Sequence, residues 1–123
     1  MFRIGKTFKF EAAHYLRGLS QGHKCARAHG HSYTVEVMLT SDSLTPPGFV
    51  VDFAELGELR RFLDEEYDHR TLNDVLDVEP TAENLALKIY EWCAKALDVP
   101  ASCRIESVRV HETATSWAEY VAP

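Results

Sequence analysis

The stretch CARAHGHSYTVEV, residues 25–37, places a thiol ahead of two histidines two residues apart and then alternates as a strand does. Side chains at i and i+2 of a strand point the same way, so His29 and His31 share a face, their Cα atoms roughly 6.5–7 Å apart. Both imidazoles can then converge on one ion at about 2.0–2.1 Å per Zn–N bond. His14 ends an earlier alternating stretch, KTFKFEAAHY. If the two strands pair antiparallel, His14 lies beside the start of the second, where His29 and His31 stand. Three neutral imidazoles without a compulsory fourth protein donor make a catalytic zinc site with one position left for water or substrate. Gly30 between the two histidines suits a rim that a larger side chain would crowd. His23 and His111 have no such partners and read as ordinary histidines.

Cys25 leaves a choice open. It is a fourth ligand closing a structural site, an acid–base group beside an open one, or an idle loop thiol. Zn²⁺ and the cations Lys24 and Arg27 would favour its thiolate, which can take a proton next to a polarised substrate. Asp68–His69, in YDHRTLN, is either a proton-shuttling pair, with the carboxylate setting the imidazole tautomer, or the decoration of a helix end. Glu112 ends a stripe with Val108 and Val110, and carboxylates are seldom buried unpaired. It meets a cation across a strand end or a ligand rich in N–H donors, such as a two-amino pyrimidinone ring.

These groups need elements to hold them. Phe8, Phe10, Ala12 and His14 share one face of a first strand, and His29 to Leu39 alternate in a second. Residues 16–28 read as loop, with Gly18 and Gly22, and TSDSLTPPG as a turn region. Asp52 with Glu55 resembles a capping box opening a helix that carries Leu56, Leu59, Leu63 and Tyr67. Residues 68–80 connect to a second helix opened by Pro80 and Thr81, with Leu85, Ile89 and Trp92 on its stripe and a stop near Pro100. CRIESVRVHE and WAEYV read as two more strands around TATS. The pattern predicts an α+β domain over residues 1–123 in the order ββααββ, a four-stranded antiparallel sheet with two helices on one face. Its open edges invite self-association that continues the sheet.

The totals agree with a small globular enzyme. The chain has 123 residues, is 46% hydrophobic and carries a net charge of -6. That length suits one domain, and that charge argues against a general nucleic-acid binder. The start, MFRIGKTFKF, alternates where a leader or membrane span would be continuously apolar, so a cytoplasmic protein with no membrane partner is expected. Cys25, Cys93 and Cys103 are an odd number, which favours reduced thiols, the last two as inert packing.

FKFEAAH, CARAHGHSY, VVDFAEL, DHRTLN, PTAENLA and VHET together resemble the 6-pyruvoyltetrahydropterin synthase family, in order from about Phe8 to Tyr120. They most resemble its branch making 6-carboxy-5,6,7,8-tetrahydropterin for queuosine and other 7-deazaguanines, since only three residues separate Cys25 from HGH. The resemblance implies the tunnelling fold (T-fold), a hexamer of two stacked trimers, and active sites at subunit interfaces. It implies zinc held by His14, His29 and His31, and proton abstraction by Cys25. It also implies an Asp68–His69 relay, Glu112 anchoring the pterin and joining the relay, and Thr113 helping through its backbone. The implied substrate is 7,8-dihydroneopterin triphosphate. Tyr67 departs from the commoner leucine before the Asp–His pair.

Overall fold

The computed structural model describes residues 1–123, with β1 (Phe2–His14), β2 (His29–Ser41), α1 (Gly57–Glu66), β3 (Arg70–Thr71), α2 (Ala82–Ala96), β4 (Cys103–His111) and β5 (Trp117–Val121) in chain order. The class is α+β, as the pattern predicts, but the sheet is five-stranded and mixed, in the spatial order β3-β1-β2-β4-β5. The expected four-stranded antiparallel sheet and ββααββ order are therefore corrected to ββαβαββ. Arg70 and Thr71 pair parallel with Ala12 and Ala13 at the edge of β1. Two residues are too few to leave an alternation in the sequence.

β1 and β2 pair antiparallel without interruption, from Phe2 opposite Ser41 to His14 opposite His29. β1 starts ahead of KTFKFEAAHY, with Phe2, Arg3 and Gly5 exposed and Ile4 half-buried against the core. Phe8, Phe10, Tyr33, Val35 and Val37 face the helices within one cluster of 24 buried apolar residues. Phe10 stacks on Tyr33 at 4.9 Å between centroids, and Phe62 on Trp92 at 4.4 Å. Such pairs contribute about 0.5–1.5 kcal/mol beyond the area they bury.

Two local details set the site. Asp52 caps a short 3-10 turn, Phe53–Leu56, by accepting the Ala54 N–H at 2.9 Å, so α1 itself begins later, at Gly57. In β4, Met38 pairs with Ser107 and Leu39 with Ile105, leaving Glu106 as a bulge. The bulge switches the phase. Cys103 and Ile105 are buried before it, Val108 and Val110 after it, and Glu112 continues the second phase just past the strand end. No helix is long and apolar enough to cross a membrane.

Candidate metal and substrate site

His14 and His29 are directly opposed across β1 and β2, while His31 faces Ala12, whose small side chain leaves the ring room. The three rings stand edge to face, with centroids 4.6, 5.0 and 4.9 Å apart. One ring nitrogen from each lies within 4.8 Å of the others. Burial fixes His14, which is 1% exposed.

The ring tautomers follow from their backbone partners. His14 Nδ1 lies 2.7 Å from the Pro80 carbonyl, and His29 Nδ1 lies 2.6 Å from the Arg27 carbonyl. A carbonyl only accepts, so both Nδ1 atoms carry protons and both neutral rings keep a lone pair on Nε2. Those two Nε2 atoms face each other at 3.0 Å. His31 Nε2 is buried with no hydrogen-bond partner. Burial, followed by smaller effects of His14 and His29, lowers the His31 pKa against an upward pull from Glu112. Converging lone pairs and an orphaned ring nitrogen are costly alone and suit a shared cation. The residues fit a divalent metal with nitrogen preference, such as zinc.

His29 and His31 open onto a cleft of about 420 Å³. Lys24 and Cys25 line it from the loop before β2, and Glu112, Thr113 and Ser116 from the β4–β5 hairpin. The loop is tied down by its own backbone. The Leu16 N–H donates to the Cys25 carbonyl at 2.9 Å, and the Cys25 N–H donates to His23 Nδ1 at 3.1 Å. The Glu112 N–H donates to the Ser116 carbonyl at 3.1 Å and closes the hairpin. Burial first, and then the Glu112 charge, raise the Tyr33 pKa and hold that residue as the phenol.

Asp68 and His69 lie elsewhere. Asp68 Oδ2 accepts from His69 Nδ1 at 2.8 Å, and Asp68 Oδ1 accepts the Glu11 N–H at 2.8 Å. The Glu11 N–H, more than His69, holds the Asp68 carboxyl below the usual carboxylate range. His69 has φ 59°, a left-handed backbone that costs about 1–3 kcal/mol outside glycine. Its N–H donates to the Glu11 carbonyl at 2.5 Å, so the edge of β1 grips the dyad through both backbone groups of one residue. His69 opens onto a second cleft with Glu11, Gly30, Ser32 and Thr71, which His31 lines as well as the first, and its side chain is 79% exposed. Within one chain, Cys25 and His69 do not share a cleft.

Some contributors escaped the pattern. Glu11, inside FEAAH, is a polar outward residue in an alternating strand and carries no local signal of its role. Ser116 and the capping function of His23 depend on loop geometry. At Gly30 a Cβ alone would meet only the Ala12 carbonyl at 3.6 Å, an ordinary contact. Cys93 and Cys103 are buried, and burial pushes the Cys93 thiol up to about 12 and raises Cys103.

Comparison with known proteins matches this geometry to a family. Residues 3–123 match the family model described as 6-pyruvoyl tetrahydropterin synthase. The chain is 41% identical to the 6-carboxy-5,6,7,8-tetrahydropterin synthase of a Synechocystis species, over 100% of this chain and 95% of that one. It is 34% identical to the protein of the same name from Aquifex aeolicus, over 97% of both chains. The solved 6-pyruvoyl tetrahydropterin synthase of Caenorhabditis elegans superposes with a TM-score of 0.85 at 25% identity, covering 99% of this chain and 96% of that one. A histidine triad between two paired strands, on a fold and sequence shared along the whole chain, places this protein in the 6-pyruvoyl tetrahydropterin synthase family.

Proposed function

We propose that this protein is a zinc-dependent lyase that converts 7,8-dihydroneopterin triphosphate and water to 6-carboxy-5,6,7,8-tetrahydropterin, acetaldehyde and triphosphate. The observation that carries the reading is the cluster of three imidazoles, two of which, His29 and His31, line one cleft with Cys25 and Glu112, in a chain 34–41% identical to proteins bearing that name.

Each residue then has a task. His14, His29 and His31 would hold the metal, which would supply Lewis-acid polarisation of the substrate's side-chain oxygens. Cys25, at the cleft wall, takes the proton whose removal begins tautomerisation and release of triphosphate. Glu112 accepts two N–H bonds from the pyrimidinone ring and sets the reacting carbons toward the histidines. Thr113 supports that ring through its backbone. His69, its tautomer set by Asp68, moves protons during carbon–carbon cleavage.

Cys25 and His69 lie in different clefts of one chain. A site shared between copies joins them, which supports a homo-oligomer, a hexamer of two trimers by family resemblance. One T-fold domain over residues 1–123, a cytoplasmic setting and supply of queuosine-type 7-deazaguanines complete the proposal. The test is turnover of dihydroneopterin triphosphate by zinc-loaded protein. One acetaldehyde per pterin consumed is expected. Loss of triphosphate without acetaldehyde would make the enzyme a pyruvoyl-forming one.

A further inference from the structure

The cleft that holds the histidines has opposite charges toward its two ends. Glu112 follows His111, which pairs with Thr34, so the carboxylate stands level with Tyr33. Lys24 lies in the turn that leads into β2 ahead of His29. His31 and His29 therefore fall between the two charges along β2. From residue 33 to residue 29 the strand covers about 13 Å.

Lys24 is the only permanent cation lining this cleft. It joins none of the protein's salt bridges. Arg27, the nearest cation in sequence, does not line the cleft, and Arg17 is engaged by Glu79 through its backbone N–H at 2.9 Å and its Nε at 3.5 Å. The Lys24 turn is also ordered. His23 caps it, the Cys25 carbonyl is held by Leu16, and the Arg27 carbonyl is held by His29. An unpaired ammonium on a fixed turn, in a chain of net charge -6, is a selective place for an anion.

We propose that Lys24 is the specificity-determining residue for the phosphate chain of the substrate, binding the oligophosphate ester at the cleft mouth while Glu112 takes the donor-rich ring. The inference rests on the proposed reaction for its substrate, but the anion site itself does not need turnover. Lys24 binds the phosphate oxygens before the bond to carbon breaks and keeps hold of the same anion as it leaves. Its contribution therefore scales with the negative charge of the chain and falls with added salt.

Two readouts separate this inference from the reaction. The first is alkylation of Cys25, the neighbour of Lys24, with and without inorganic tripolyphosphate. Tripolyphosphate slows alkylation of the wild-type protein and of Lys24→Arg, and has little effect on Lys24→Gln. The second is steady-state kinetics, in which Lys24→Gln raises KM for the triphosphate ester roughly tenfold to a hundredfold and Lys24→Arg restores most of it. The loss is smaller for the monophosphate ester. Equal protection of wild type and Lys24→Gln, or no protection of wild type, overturns the inference even if turnover is normal. Protection that depends on Lys24 in a protein without turnover supports the anion site and sinks the proposed reaction. Matching circular dichroism spectra of the variants establish that folding is unchanged.

Discussion

His14 and His29 face each other across two antiparallel strands with their Nε2 atoms 3.0 Å apart and both Nδ1 protons given to backbone carbonyls. The fold thus aims two lone pairs at one point, and the buried, unpartnered His31 Nε2 adds a third donor. Metal-free protein retains that repulsion, and a cation removes it.

Metal removal therefore lowers stability. At zinc a hundredfold above its dissociation constant, binding to the native state contributes about 2.7 kcal/mol, a Tm higher by roughly 10 °C. Thermal unfolding with and without chelator measures this. His29→Ala should lose stoichiometric zinc and the chelator-sensitive part of the Tm. An unchanged Tm on chelation in the wild type would contradict the role given to the triad.

Among the three thiols, Cys25 alone should react rapidly with iodoacetamide at pH 8. It lies at the cleft wall, whereas burial keeps Cys93 and Cys103 protonated and covered. Peptide mass mapping after brief labelling identifies the modified residue. Cys25→Ala should abolish turnover with zinc content unchanged, and parallel loss of zinc would make Cys25 a ligand.

Asp68→Asn tests the dyad. The Asp68 pKa is depressed in the folded protein, first by the Glu11 N–H and then by His69. A depressed carboxyl stabilises above the unfolded value of about 3.9, and its contribution fades as pH falls through the lower folded value. The stability gap between wild type and Asp68→Asn should therefore stay constant from pH 8 to about 5 and narrow below about 4. Urea unfolding across that range reads it. At pH 7.5 kcat should drop roughly 10²- to 10⁴-fold with zinc content unchanged, the range expected for general acid–base groups.

Asn73 offers a stability test remote from the cleft. Its side chain donates to the Tyr15 carbonyl at 2.8 Å and accepts the Tyr15 N–H at 3.0 Å, clamping the residue after His14. Asn73→Ala should cost about 1–3 kcal/mol and weaken zinc binding, measured by chelator competition. A full loss of stability with unaltered zinc affinity would separate the clamp from the metal site.

The inward histidines were legible because a two-residue period reports a strand's facing whatever its surroundings. Glu112 was legible for the same reason, although the bulge at Glu106 that brings Val108, Val110 and Glu112 into phase with the core leaves only a break in alternation. β3 was not legible. Its two residues acquire strand geometry from the edge of β1, a long-range pairing with no local signature. The Asp68–His69 bond was equally hidden, since neighbouring side chains face each other here only through the left-handed backbone at His69, held by Glu11. Asp52 carried a true capping signal, but a cap looks alike before a 3-10 turn and before an α-helix, so the start of α1 came out early.

X-ray absorption at the zinc edge of the loaded, substrate-free protein addresses the metal centre most directly. The account predicts three imidazole nitrogens and one oxygen from solvent, at about 2.0–2.1 Å. A sulfur scatterer near about 2.3 Å, or four protein donors filling the coordination, would contradict it.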